Sequence, residues 1–62
     1  MPVIRVEMFS GKSREQKRKL AQQVTNTFVE VTGVKPEHVT VLFSEMEMED
    51  WAVAGKLVAD QT

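Results

Sequence analysis

The sequence has 62 residues, 42% of them hydrophobic and 27% charged, with a net charge of -1. That length holds one domain, 1–62, at the lower edge of what can bury its own core, and the apolar content is too high for disorder. The absence of cysteine excludes disulfides and thiolate metal sites, the lone His38 cannot build a nitrogen-ligand site, and the charge offers no general attraction to nucleic acid.

The start, Met-Pro-Val-Ile-Arg, has no basic region followed by an apolar one, and no stretch approaches the apolar length that spans a bilayer. The expectation is a soluble, cytoplasmic protein. From Pro2 to Phe9 the side chains alternate: Ile4, Val6 and Met8 form a wholly apolar face opposite Val3, Arg5, Glu7 and Phe9, which predicts a strand. Ser10 and Gly11 break the pattern. Ser13, with Gln16 three residues on, reads as a capping box that opens a helix running to about Thr32. Leu20, Ala21, Val24, Phe28 and Val31 recur at helical spacing and predict one buried stripe, with Gly33 placed to end the helix.

Lys35-Pro36-Glu37 reads as a turn, after which Val39, Val41 and Phe43 alternate with Thr40, Leu42 and Ser44 in a second strand. A helix of about five turns between two strands returns the chain to its starting edge, so the strands should be parallel and joined by a right-handed crossover. Beyond Glu45, the acidic residues Glu47, Glu49 and Asp50 lead to Trp51 and the small-residue run Ala52-Val53-Ala54-Gly55, read as a loop and then a short strand or hairpin arm. The fold class is α/β: a single β-α-β unit with two parallel strands and a short C-terminal strand or hairpin. One helix covers one face of such a sheet, whereas parallel strands are normally buried on both. The open face therefore predicts an obligate homo-oligomer, with the segment carrying Val53, Leu57 and Val58 as an arm for a neighbour.

Common catalytic constellations are missing. Gly11-Lys12-Ser13 resembles the end of a phosphate loop, but that pattern needs a glycine at position 6, where Val6 stands. Pro2 offers more. Once Met1 is removed its nitrogen is a secondary amine. An α-amino group of pKa about 7.7 to 8.0 is about 15% neutral at pH 7, and lowering that value by about one unit makes roughly 60% neutral. An apolar pocket and a nearby cation both push that way, and a rigid base near neutrality suits proton abstraction beside a carbonyl. Lys12, Arg14, Lys17, Arg18 and Lys19 crowd the loop and first helical turns, where the macrodipole is already positive. Arg14, Lys17 and Arg18 read as a solvated stripe partly balanced by Glu15. Lys12 precedes the helix, can face a site that helix residues cannot, and would attract an anion such as a carboxylate. Trp51 reads equally as the wall of an apolar pocket or as filling for a subunit interface, His38 as a solvated residue at a strand start, and the four methionines as packing.

Taken in order, these pieces resemble the 4-oxalocrotonate tautomerase family from Pro2 to about Lys56. They are the Met-Pro start, Gly11-Lys12-Ser13 leading into Glu15-Gln16-Lys17, the second strand ending in Glu45-Met46, an aromatic residue, and Ala54-Gly55-Lys56. The resemblance implies a β-α-β subunit in a homohexamer, or less often a smaller assembly. It also implies an isomerase that needs neither cofactor nor metal and interconverts the enol and conjugated keto forms of a small anionic, 2-hydroxymuconate-like substrate. It makes Pro2 the acid and base. It places Lys12 where the family commonly has an arginine that binds a carboxylate, Thr40 where the best-known members have an arginine that polarises the carbonyl, and Trp51 at the pocket aromatic.

Lysine is a point charge without the planar fork of arginine, and threonine carries no charge. Losing one charged electrophilic contact costs about 3 to 4 kcal/mol of transition-state stabilisation, so weak activity on dicarboxylates is expected. Two other classes compete: a non-catalytic oligomeric binding module on the same scaffold, which retention of Met1 would favour, and a small dimeric DNA-binding protein. The alternating second strand and the acidic last third oppose the latter.

Overall fold

The computed structural model describes residues 1–61. Strand β1 (Val3–Phe9) is followed by helix α1 (Arg14–Thr32) and strand β2 (Thr40–Met46). A two-residue hairpin, β3 (Ala52–Val53) and β4 (Lys56–Leu57), completes the strands, and short 3-10 turns lie at Pro36–His38, Met48–Asp50 and Val58–Gln61. β1 and β2 pair in parallel from Val3 opposite Thr40 to Phe9 opposite Met46, while β3 and β4 are antiparallel. The expected strand, crossover helix and parallel strand are therefore present, with the hairpin arm after them.

The helix begins and ends where local chemistry dictates. The Ser13 hydroxyl accepts from the Gln16 N–H at 3.1 Å and the Gln16 side chain accepts from the Ser13 N–H at 3.0 Å, so two otherwise orphaned donors are satisfied reciprocally. At the other end Gly33 takes φ 78°, and its N–H donates to the Val29 carbonyl at 2.8 Å. A residue with a Cβ would be strained there.

Side-chain parity then divides the sheet into two faces. Ile4, Val6 and Met8 share the helix face with Val41, Phe43 and Glu45; Val3, Arg5, Glu7 and Phe9 share the other with Thr40, Leu42, Ser44 and Met46. Helix α1 leans over β2, and Lys17 forms an ion pair with Glu45. The β1–β2 ladder carries β2 to Met46, the strand end that the family resemblance gave. The helical stripe differs from expectation in degree. Ala21, Val24 and Phe28 are half-buried, Leu20 is 37% exposed and Val31 is 79% exposed. No described residue is fully buried, because one helix laid on two strands leaves the second sheet face and the β1 flank of the helix open.

Replacing Gly33 with alanine should cost about 1–2 kcal/mol in denaturant unfolding, since nothing lies within 4 Å of a Cβ there and only the backbone conformation resists it. Gly33→Asn should lose less, because asparagine tolerates the left-handed region; equal losses would mean that the added side chain clashes after all.

Candidate active site

Pro2 precedes β1 at the end of the sheet where β2 begins, and it is half-buried. Its carbonyl accepts the Thr40 N–H at 3.0 Å, and Thr40 stands opposite Val3, so Pro2 and Thr40 are neighbours. The hydrogen bond fixes the carbonyl end of Pro2 against β2. Met1, bonded to the Pro2 nitrogen, is 85% exposed.

Lys12 and Trp51 lie at the opposite end of β1. Trp51 packs on Phe9 with ring centroids 4.4 Å apart at a tilt of 39°, and its carbonyl accepts the Val58 N–H at 2.9 Å. Lys12 lines a small recess with Met8, Gln16, Lys17 and Leu20. Strand rise is about 3.3 Å per residue, so Phe9 lies about 23 Å from Pro2 along β1. Of the four residues singled out from the sequence, one chain brings together Pro2 with Thr40, and places Lys12 and Trp51 at the far end.

The cations divide as well. Lys17, expected in a solvated stripe beside Glu15, is neutralised by Glu45, whereas Lys12 is exposed and makes no ion pair among the described residues. Glu45 was placed at the end of the second strand without a role, and its parity with Val41 and Phe43 is the signal that puts it on the helix face. Phe9 was assigned only to a strand face; its contact with Trp51 joins residues 42 apart in sequence, which no local pattern reports. Ser10 donates to the Glu47 carboxylate at 2.9 Å and its N–H donates to the Met46 carbonyl at 2.9 Å, which ties the acidic loop to the end of β1. That leaves a hollow lined by Phe9, Ser10, Met46, Glu47, Met48 and Glu49 beside Trp51. His38 is exposed in its 3-10 turn.

Residues 2–61 match the model of the tautomerase enzyme family. The chain belongs to that family. It is 42% identical over 60 residues to the 2-hydroxymuconate tautomerase of Bacillus subtilis, covering 97% of each chain. It is 36% identical over 61 residues to a probable tautomerase of Ralstonia nicotianae, covering 98% of this chain and 94% of the other. Its fold superimposes on the crystal structure of YwhB, a homologue of 4-oxalocrotonate tautomerase, with TM-score 0.91 and 41% identity over 95% of this chain and 97% of that one. The heterohexameric 4-oxalocrotonate tautomerase of Chloroflexus aurantiacus is similar over 100% of both chains, with TM-score 0.89 and 27% identity. Membership gives this tautomerase-family chain an isomerase's class of activity. Among the described residues no helix is long and apolar enough to cross a membrane.

Trp51 is the chain's only tryptophan, so its fluorescence reports this contact alone. Phe9→Ala should shift the emission to longer wavelength and raise quenching by iodide; unchanged emission would show that Trp51 is held by other contacts.

Proposed function

We propose that this chain is a cofactor-independent tautomerase of the 4-oxalocrotonate type. It moves a proton between oxygen and carbon of a small anionic 2-hydroxy-acid enol, of the 2-hydroxymuconate class, and its conjugated ketone. The observation that carries the reading is the placement of Pro2: half-buried, pinned through its carbonyl to Thr40, and preceded by an exposed Met1. After removal of Met1, the neutral amine takes the hydroxyl proton of the dienol and the resulting ammonium returns it to the carbon at the far end of the conjugated diene, leaving a carbonyl conjugated with the remaining double bond. The nitrogen ends each turnover as it began, so no external oxidant, reductant or metal enters the balance.

The remaining roles follow from charge and reach. Lys12 attracts the anionic end of the substrate, Thr40 hydrogen-bonds an oxygen without adding charge, and Trp51 keeps water from the base. Because about 23 Å of strand separates Pro2 from Phe9 and Trp51, no single small substrate touches both ends of one chain. The site is therefore composite: Pro2 and Thr40 come from one subunit, Lys12 and Trp51 from neighbours. A homohexamer, operating in the cytoplasm, supplies those neighbours and also covers the exposed Val3, Leu42 and Val53. A binding module without catalysis is the second reading; it rests on Thr40, which offers no cation, and on Met1, which while attached makes the proline nitrogen an amide.

Intact mass and kinetics on 2-hydroxymuconate decide between the two. Mature protein lacking Met1 should turn the enol over, and Pro2→Ala should lower the rate by about 10²-fold or more. A free amine with a rate insensitive to Pro2→Ala would sink the catalytic role. Complementation tests the composite site: Pro2→Ala and Lys12→Ala subunits, each impaired alone, should regain activity when unfolded together and refolded as mixed oligomers. No recovery in a mixture shown by mass to be mixed would mean that each site draws both residues from one chain.

A further inference from the structure

Ser10 directs both of its donors at the end of β2. Its N–H donates to the Met46 carbonyl at 2.9 Å and its hydroxyl to the Glu47 carboxylate at 2.9 Å. Phe9 opposite Met46 is the last pair of the β1–β2 ladder, so this two-point clasp sits just beyond the sheet, where the strands would otherwise part. Glu47 precedes the 3-10 turn Met48–Asp50, yet its side chain does not cap that turn. Its carbonyl closes the turn instead, accepting the Asp50 N–H at 2.9 Å, and Trp51 follows directly. Glu47 is thus held by β1 through its side chain while its backbone starts the turn that presents Trp51.

The chain beyond the clasp rests mainly on itself. The turns at Met48–Asp50 and Val58–Gln61 pack against each other and against β4, and the Trp51 carbonyl accepts the Val58 N–H. Phe9 and Ser10, adjacent on β1, tie this unit to the sheet, one through its tilted ring contact with Trp51 and the other through Glu47. A single aromatic pair fixes the separation of two rings better than their offset or tilt, because such pairs accept both offset-stacked and edge-to-face arrangements. A hydrogen bond to a carboxylate is short and directional, and it supplies the second anchor that the ring pair lacks. Ser10 stands two residues before Lys12 and Glu47 four before Trp51, so the same bond sets the two groups at this end of the sheet relative to each other. Being exposed, the bond adds little to global stability, and its effect is on position. We propose that the Ser10–Glu47 hydrogen bond positions Trp51 as a wall of the site, which makes Ser10 and Glu47 positioning residues for the reaction. Glu47 serves as an acceptor rather than through its charge, so an amide oxygen can replace its carboxylate and a methyl group cannot.

The inference rests on the role given to Trp51 above, and its test separates the two. Trp51 emission and iodide quenching are read well below the melting transition, where a fold that is merely less stable still looks native, and kcat/KM is measured on 2-hydroxymuconate with protein lacking Met1. Ser10→Ala and Glu47→Ala each remove one partner and should move the emission to longer wavelength and raise quenching. They should also lower kcat/KM about tenfold, within the range by which a misplaced group slows a reaction. The double variant S10A/E47A should be no worse than either single one, because all three lose the same contact. Ser10→Thr keeps the donor and Glu47→Gln the acceptor, and both should recover the emission and most of the rate. Unchanged emission in the two alanine variants would overturn the proposal. So would a shift as large in Ser10→Thr and Glu47→Gln, or a shifted emission with an unaltered rate. If the wild-type protein turns over no enol, the tautomerase reading falls, and with it the positioning role in the reaction, while the emission still decides whether the clasp holds Trp51.

Discussion

A single helix on two parallel strands has nowhere to hide an apolar side chain. Covering one face of the sheet half-buries Ile4, Val6, Met8, Val41 and Phe43, yet the other face, the β1 flank of the helix and the hairpin remain open to water. Ordering a chain costs about 1–2 kcal/mol per residue in backbone entropy, and half-burial of so few side chains returns little against it. The self-association proposed for this chain answers that shortfall, and the exposed hydrophobic residues Val3, Leu42 and Val53 are the surfaces it would cover.

The same constraint shapes the chemistry. A strand is stiff and its length is fixed by its residue count, so whatever stands at the two ends of β1 stays far apart within one subunit. Pro2 and Thr40 occupy one end, Lys12 and Trp51 the other, each group held by its own local contacts. A reaction that needs a base, a cation and a dry wall together therefore needs ends from different chains to meet. In the composite site proposed above, assembly would bring the groups together and exclude water from the base, linking oligomer stability to catalysis through one set of contacts.

Charge is distributed to keep Lys12 available. Glu45, under the helix on β2, neutralises Lys17, and Ser10 holds Glu47. The first turn of α1 keeps its positive end while its capping box satisfies the exposed donors. An anion approaching that end therefore meets a lysine that no carboxylate among the described residues pairs with.

Local pattern determined the strand at Val3–Phe9, the capping box at Ser13 and Gln16, the stop at Gly33 and the parallel crossover. Each depends on period, cap chemistry or chain reach, all of which are written in consecutive residues. Pro2, Lys12, Thr40 and Trp51 were legible as residue types with suitable chemistry and through the family they resemble. Their distribution between the two ends of the sheet was not, nor were the contact of Trp51 with Phe9 and the capture of Lys17 by Glu45. These join residues far apart in the chain, and only the register of β1 on β2 and the lean of α1 decide which side chains meet.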